Sequence, residues 1–303
     1  MKHELSILIP VYNDDCTRLA AELSRQASLI EGLSYEVIVS DDCSPNRGAV
    51  AGNAAIDALP HCRYIVQQVN VGSAANRNLL ARESRYEWLL FVDCDVEVLS
   101  DDFLQRYLQA QDADVTMGGI AIGGDPEALA TNLRYRYEQH CAPAHSAANR
   151  SKRPYQSFRS CNFLVRRSVM LACPFDERFK KSGYEDVCLG RQLKNQSFAI
   201  SHIDNPVTMT SYESNADYIN KVERSLRTLY QFRSELRGYS RLLTAAEGIH
   251  LSIVRWGVAL LFRLSSPVTR RLLCSSREVS LRLFDAYRLG YYISYSLKKH
   301  TTQ

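Results

Sequence analysis

No CxxC pair occurs among the nine cysteines (Cys16, Cys43, Cys62, Cys94, Cys141, Cys161, Cys173, Cys188 and Cys274), and their number is odd. That pattern excludes a zinc ribbon and a disulfide framework. Several thiols sit inside apolar runs, where reduced cysteine acts as a small core residue, so a reducing compartment is expected. No GxGxxG follows the first apolar run, which disfavours a dinucleotide-binding oxidoreductase. ILIPVYNDD holds no basic, glycine-rich phosphate loop, which counts against a nucleotidyltransferase. Long apolar runs are also lacking. Leu251 to Leu264 is interrupted by Arg255 and Arg263 and is too short to span a bilayer. The N-terminal MKHELSILIPVYN is not expected to be a signal peptide, because its apolar run ends quickly in a turn signal. Internal repeats and low-complexity tracts are absent.

What is present is a chain of 303 residues, 46% hydrophobic and 23% charged, enough for one large α/β domain with or without an appendage. The net charge of +4 conceals an asymmetry: from Arg233 onward twelve Lys or Arg face four acids, a net of +8, and the remainder carries −4. A basic tail on a mildly acidic body points to an anionic surface as partner. No nucleic-acid-binding motif accompanies the charge.

Short apolar runs alternate with helix-like segments over the first 120 residues. Strands are expected at Ser6–Pro10, Tyr35–Ser40, Arg63–Gln68, Glu87–Asp93 and Asp114–Gly119. Helices are expected between them, the first capped by Asp14 or Asp15 with Leu19, Leu23, Ala27 and Ile30 on one face. This rhythm predicts a parallel sheet covered on both faces, whose ligands bind beyond the carboxyl ends of the strands. Polar residues fall at four such ends: Tyr12 and Asn13, Asp41 and Asp42, Asn70, and Asp93 with Asp95. Later segments predict a helix over 126–140, a mobile loop over 142–156, a strand at Cys161–Val165, helices at Glu185–Lys194 and Ala216–Leu236, and a helical, basic remainder to about Leu297.

Two carboxylates one residue apart just past a strand, as in Asp93-Cys94-Asp95, can reach a divalent metal and a ribose; a solvated turn is the plain alternative. A carboxylate at Asp41–Asp42 can accept from the N3–H of a uracil ring or from a ribose hydroxyl. It can equally make an Asx turn plus helix cap with Ser44. Glu185–Asp186 can be an acidic first turn favoured by the helix dipole.

ILIPVYN (Ile7–Asn13), VIVSDDCS (Val37–Ser44), NVGSAANRN (Asn70–Asn78) and FVDCDVEV (Phe91–Val98) stand in the order and spacing of the family 2 glycosyltransferases. SCNFLVRR (Ser160–Arg167) and GYEDVCLGRQL (Gly183–Leu193) resemble that family's acceptor-side segments, so the resemblance covers about residues 4–236. It implies a GT-A-type, Rossmann-like α/β fold and an inverting transfer from a nucleotide-sugar donor. The catalytic domain would be 1–236, split into a donor half (1–120) and an acceptor half (121–236), with 237–303 a basic helical extension. Tyr12 would stack on the base, with Pro10 and Asn13 shaping the pocket. Asp42 would hold the base and Asp41 its turn. Gly72, Arg77 and Asn78 would line the ribose or diphosphate. Asp95, helped by Asp93, would bind Mn²⁺ or Mg²⁺. Asp186, beside Glu185, would be the general base, and Arg191 could neutralise diphosphate charge or face solvent.

Two positions depart from the family pattern. Where many relatives carry a metal-binding histidine, this chain has Met209, with His202 seven residues earlier, and Asn76 replaces the usual alanine before Arg77. The QxxRW signature of processive synthases is absent, so one transfer per binding event is expected. The acceptor would be a saccharide or lipid-linked saccharide in cell-surface polysaccharide synthesis, in the cytoplasm or at the inner face of the membrane. The competing class is a non-catalytic nucleotide-sugar-binding or scaffold protein. The apolar stripes of the basic tail allow three readings: packing on the catalytic domain, a homodimer contact, or a peripheral membrane surface.

Overall fold

The computed structural model describes residues 2–180, 183–275, 278 and 280–300; Arg277 of the basic tail lies outside them. In chain order the elements begin β1 (Glu4–Val11), α1 (Thr17–Ser28), β2 (Ser34–Asp41), α2 (Arg47–Asn53), β3 (Cys62–Val66), α3 (Ser73–Glu83), β4 (Trp88–Val92), α4 (Phe103–Gln109), β5 (Val115–Met117) and β6 (Ile120–Ile122). There follow α5 (Leu133–Cys141), α6 (Ala147–Ser151), β7 (Asn162–Arg166), α7 (Arg167–Ala172), α8 (Glu185–Asn195), β8 (Ile200–His202) and β9 (Val207–Met209). The rest is helical: α9 (Asn215–Gln231), α10 (Arg233–Leu236), α11 (Arg241–Glu247), α12 (Ser252–Cys274) and α13 (Leu281–His300). Two compact units emerge. One comprises residues 1–123, 142–180 and 185–211, the other residues 124–141, 181–184 and 212–303.

The first unit is built on a seven-stranded sheet of order β3-β2-β1-β4-β7-β5-β8, with β6 and β9 paired separately. β1, β2, β4, β5 and β7 form as apolar runs that both faces bury, whereas β3, at the sheet edge, is only partly buried. Leu5, Ile7, Ile9 and Val11 of β1 pack with Leu19, Leu23 and Ala27 of α1. Leu8 faces the other layer, where Phe91 and Phe163 meet Leu80 of α3, Val169 of α7 and Leu189 of α8. The sheet is not wholly parallel. β7 lies antiparallel between β4 and β5, so the fifth strand does not join the fourth directly. Asn162 secures this insertion. Its amide donates to the carbonyls of Gly119 (2.9 Å) and Asn205 (2.8 Å) and its oxygen accepts from Tyr107 Oη at 2.6 Å.

Two further expectations shift. The polar stretch 142–156 contains a 3-10 turn over Ala142–His145 and helix α6, because Arg150 turns inward and is buried. Its guanidinium donates to the carbonyls of Gly118 and Ile203. The helix expected from Pro126 begins only at Leu133, whose N–H is taken by the Asn215 side chain at 2.7 Å.

In the second unit, Leu133, Tyr218, Ile219, Leu273, Phe284 and Tyr287 form a small core. α12 and α13 pack on each other and on α9. Arg288 lies over the rings of Tyr137 and Phe284 and donates to Tyr137 Oη at 2.8 Å.

Asn162→Ala removes a hydrogen bond from each of two buried carbonyls and from a buried phenol. We expect it to lower unfolding free energy by about 3 kcal/mol in urea denaturation. A loss below about 1 kcal/mol would contradict the role given to this side chain.

Candidate active site

Since β2, β1 and β4 are parallel neighbours, their carboxyl ends open on the same edge of the sheet. Tyr12, just past β1, leaves half of its surface exposed, and Pro10 sits in β1 opposite Ser40. Asn13 adopts a left-handed φ of 62°, which asparagine tolerates. Its N–H donates to Ser44 Oγ (2.8 Å) and its side-chain oxygen accepts from the Asn46 N–H (3.1 Å), tying the first two strand ends together.

The two aspartates at the end of β2 have separate tasks. Asp41 is fully buried and makes the turn, accepting from the Ser44 N–H (2.7 Å) and Tyr64 Oη (3.0 Å), while Asn46 caps α2. Asp42 is buried too. Its carboxylate accepts the N–H groups of Val71 (2.7 Å) and Gly72 (2.8 Å), and its carbonyl accepts from the Asn70 amide (3.0 Å). Asp42 therefore anchors the loop that enters α3, and both of its oxygens have main-chain partners. Gly72 in that loop has φ 92°, and a Cβ there would stand 2.9 Å from the Lys180 carbonyl oxygen, so only glycine fits.

From this loop α3 carries Asn76, Arg77 and Asn78 into the interior. Asn76 accepts from Gln67 Nε2 and donates to the Ser40 carbonyl, both at 2.8 Å, and so braces the end of β2. Arg77 is the hub. Its guanidinium pairs with Asp93 at 2.6 Å, stands 4.0 Å from the Glu185 carboxylate, donates to Ser73 Oγ, and lies over the Phe175 ring. Burial disfavours this cation, but Asp93 and Glu185 outweigh it, and the pKa of Arg77 is raised. Its Nε is buried and has no hydrogen-bond partner among the described residues.

Asp93 follows β4, and its N–H donates to the Cys161 carbonyl at 3.0 Å. Burial raises its pKa, Arg77 opposes that, and the charge of Asp95 adds to it. Asp95 is exposed. Glu185 and Asp186 open α8, Glu185 accepting weakly from Ser73 Oγ at 3.4 Å. Burial, then the neighbouring Glu185 charge, pushes the Asp186 carboxyl up to about 6, against the Val187 N–H that it accepts at 2.7 Å. The third helix, the Asp93–Asp95 turn and the start of α8 thus belong to one acidic cluster around one buried arginine.

Other expected residues stand apart from that cluster. Asn78 holds the segment before α8 instead of a ribose: it brackets Phe175 through both its N–H and carbonyl at 2.9 Å and donates to Glu177. Arg191 is five residues beyond Asp186 on α8, about 140° around the helix and so on another face. His202 is committed elsewhere, its Nδ1 facing Arg150 Nε (3.2 Å) and its Nε2 the Pro154 carbonyl (3.0 Å). Met209 is buried in β9.

Two groups near the cluster escaped notice in the sequence. Asp14, read there as a helix cap, has a pKa raised by burial and by the charge of Asp95. Arg159, at the end of a polar loop, lowers the pKa of Asp186 and lies 2.9 Å from His145 Nε2.

The donor set suits a hard cation. Asp93 offers the oxygen not taken by Arg77, and Asp95 offers an exposed carboxylate. Mg²⁺ and Mn²⁺ accept one or two such ligands alongside phosphate oxygens and water. Among the described residues no group of three His, Cys, Asp or Glu is placed to hold a metal by itself, so phosphates and water would have to complete the shell.

Residues 6–172, more than half of the chain, match the family described as glycosyl transferase family 2. An uncharacterized glycosyltransferase of Haemophilus influenzae is 37% identical over 93 residues, which is 30% of this chain and 29% of that protein, so the match spans under a third of that relative. Among solved structures, the mannosyltransferase PcManGT from Pyrobaculum calidifontis, in complex with GDP-Man and Mn²⁺, is 12% identical with a TM-score of 0.56, covering 99% of this chain and 88% of its own. S. aureus TarS 1-349 in complex with UDP is 18% identical with a TM-score of 0.50, covering 100% and 92%. At these identities the likeness is one of fold, the GT-A fold followed by a helical C-terminal region.

The raised pKa of Asp186 has a stability consequence of definite sign. Ionising this group costs the folded state more than the unfolded one, so its contribution is lost as pH rises through about 6. Asp186→Asn should therefore stabilise the protein at pH 8 by on the order of 2 kcal/mol and have no such effect below about pH 4. Thermal denaturation at both pH values checks this, and destabilisation at pH 8 would contradict it.

Proposed function

The chain belongs to glycosyl transferase family 2, and on that premise we propose that it is an inverting, metal-assisted transferase. It moves one sugar from a nucleotide-diphosphate donor, by default a UDP-sugar, to a saccharide or lipid-linked saccharide. The observation that carries this reading is the linkage of Asp93 and Glu185 through the buried Arg77, with Asp186 beside them pushed up to about 6.

The chemistry follows from those residues. Tyr12 offers an exposed ring for stacking on a base, next to the braced turn of Asn13, Asp41 and Asp42. A divalent cation held by Asp95 and Asp93 would neutralise charge on the departing diphosphate. Asp186 takes the proton of the acceptor hydroxyl as its oxygen bonds to the anomeric carbon. The bond from that carbon to the phosphate oxygen breaks on the opposite side, and its electron pair leaves with the diphosphate. A carboxylate whose pKa approaches neutrality is a stronger base than an ordinary aspartate and is still ionised at pH 7. Glu185 and Arg77 position Asp186 and Asp93.

Met209 is the one feature favouring the alternative, a non-catalytic nucleotide-sugar binder, because a buried thioether replaces a hard-metal ligand. One experiment separates the two. UDP or GDP with Mn²⁺ should raise the melting temperature, and Asp95→Ala should abolish the metal-dependent part. Wild type should hydrolyse its donor slowly, with a rate that falls tenfold per pH unit below about pH 6. Asp186→Asn should lose about a hundredfold or more in rate while keeping the nucleotide shift. Full activity in both variants would defeat the assignments, and nucleotide binding without any hydrolysis would favour the binder.

A further inference from the structure

α12 presents a stripe that its own unit leaves uncovered. Ile253, Trp256, Leu260, Leu264, Val268 and Leu272 recur every three or four residues and are exposed, Ile253 by 80% and Leu264 by 73%. The opposite side of the helix is committed inward. Ala259 and Leu273 are buried, and Phe262 packs so tightly on α13 that a Cβ on Gly290 would come within 2.7 Å of its ring. An apolar stripe of this length on a soluble surface marks an interaction site.

The charges select the occupant. α12 contains four arginines and no Asp, Glu or Lys. Arg255 and Arg270 are held within the unit, by the Ala246 carbonyl and Ser296 in one case and by Glu223 and Asn220 in the other. Arg263 flanks the stripe and Arg271 lies in its last turn. Both are exposed, and neither makes an ion pair among the described residues. A second copy laid on this face would bring arginine against arginine, with no acid on the helix to compensate. An anionic surface meets both demands, apolar along the centre and positive at the margin. The 23 residues make a rod about 34 Å long, and no described helix is long and apolar enough to cross a membrane.

We propose that α12 lies flat on an anionic lipid bilayer, its Ile253–Leu272 stripe sunk to the headgroup boundary and Arg263 and Arg271 against lipid phosphates. A helix with Trp and Leu on one face and arginine beside it is built for that depth. The proposal does not rest on the sugar-transfer reading, because it uses no residue of the acidic cluster.

The test is flotation of the full chain with vesicles of phosphatidylcholine alone and of phosphatidylcholine with phosphatidylglycerol. Binding is expected to the mixed vesicles, with a blue shift of tryptophan emission that Trp256→Phe removes, Trp88 being buried. Leu260→Asp with Leu264→Asp should cut partitioning by at least about tenfold. Arg263→Glu with Arg271→Glu should cut it by about fivefold per residue. All four positions are exposed, so melting temperature and the nucleotide-induced shift should stay at wild-type values; that control keeps a failure here distinct from a failure of the donor site. Equal binding to neutral vesicles, unchanged binding by both double variants, or a dimer in light scattering that Leu260→Asp/Leu264→Asp dissolves would each overturn the proposal.

Discussion

One buried cation organises this site. Arg77 reaches from α3 to Asp93 past β4 and to Glu185 at the start of α8. A guanidinium removed from water needs partners, and so do buried carboxylates. Each here satisfies the other, while Ser73 and the Phe175 ring complete the surroundings. The arrangement does more than balance charge. It links the turn that offers metal-binding oxygens to the helix that offers a base, so two segments 92 residues apart in sequence share a register. Asp186, buried and next to Glu185, holds its proton more tightly than an ordinary aspartate, while Arg77 pulls the other way.

Around this hub the loops are held by main-chain bonds. Asp42 seizes two consecutive N–H groups at the entrance to α3, Gly72 admits the Lys180 carbonyl, and Asn78 brackets Phe175. Each contact fixes where Arg77 starts or what it leans on. Catalytic geometry of this kind depends on a rigid shell more than on the reacting groups themselves.

Much of the donor half was legible because its signals are local. Apolar runs announced β1 to β5, and the polar residues after them announced the sheet edge where the acids gather. Non-local facts were not legible. Nothing in NFLVR says that it pairs antiparallel with WLLFV, since a short apolar run carries no direction. The anchoring of the α3 loop by Asp42 depends on its carboxylate meeting Val71 and Gly72, a contact across some thirty residues. The resemblance implies that Arg77 lines the ribose or diphosphate; its pairing with Asp93 and Glu185 is a long-range contact that the local sequence does not show. Asp14 resembled a helix cap, and Arg150 lay in a stretch whose polarity suggested a loop. Arg150 instead has carbonyl partners deep in the fold. His202 and Met209 could be told from metal ligands only once their neighbours were known.

The central claim is that Arg77 couples the Asp93 turn to the start of α8. A double-mutant cycle in urea unfolding measures it directly, pairing Arg77→Met with Asp93→Asn and, separately, with Glu185→Gln. The account predicts coupling energies of about 1 kcal/mol or more in both cycles, the Asp93 pair being the larger because its contact is the closer. Additivity within about 0.5 kcal/mol in both would show that the arginine joins nothing and would contradict the account.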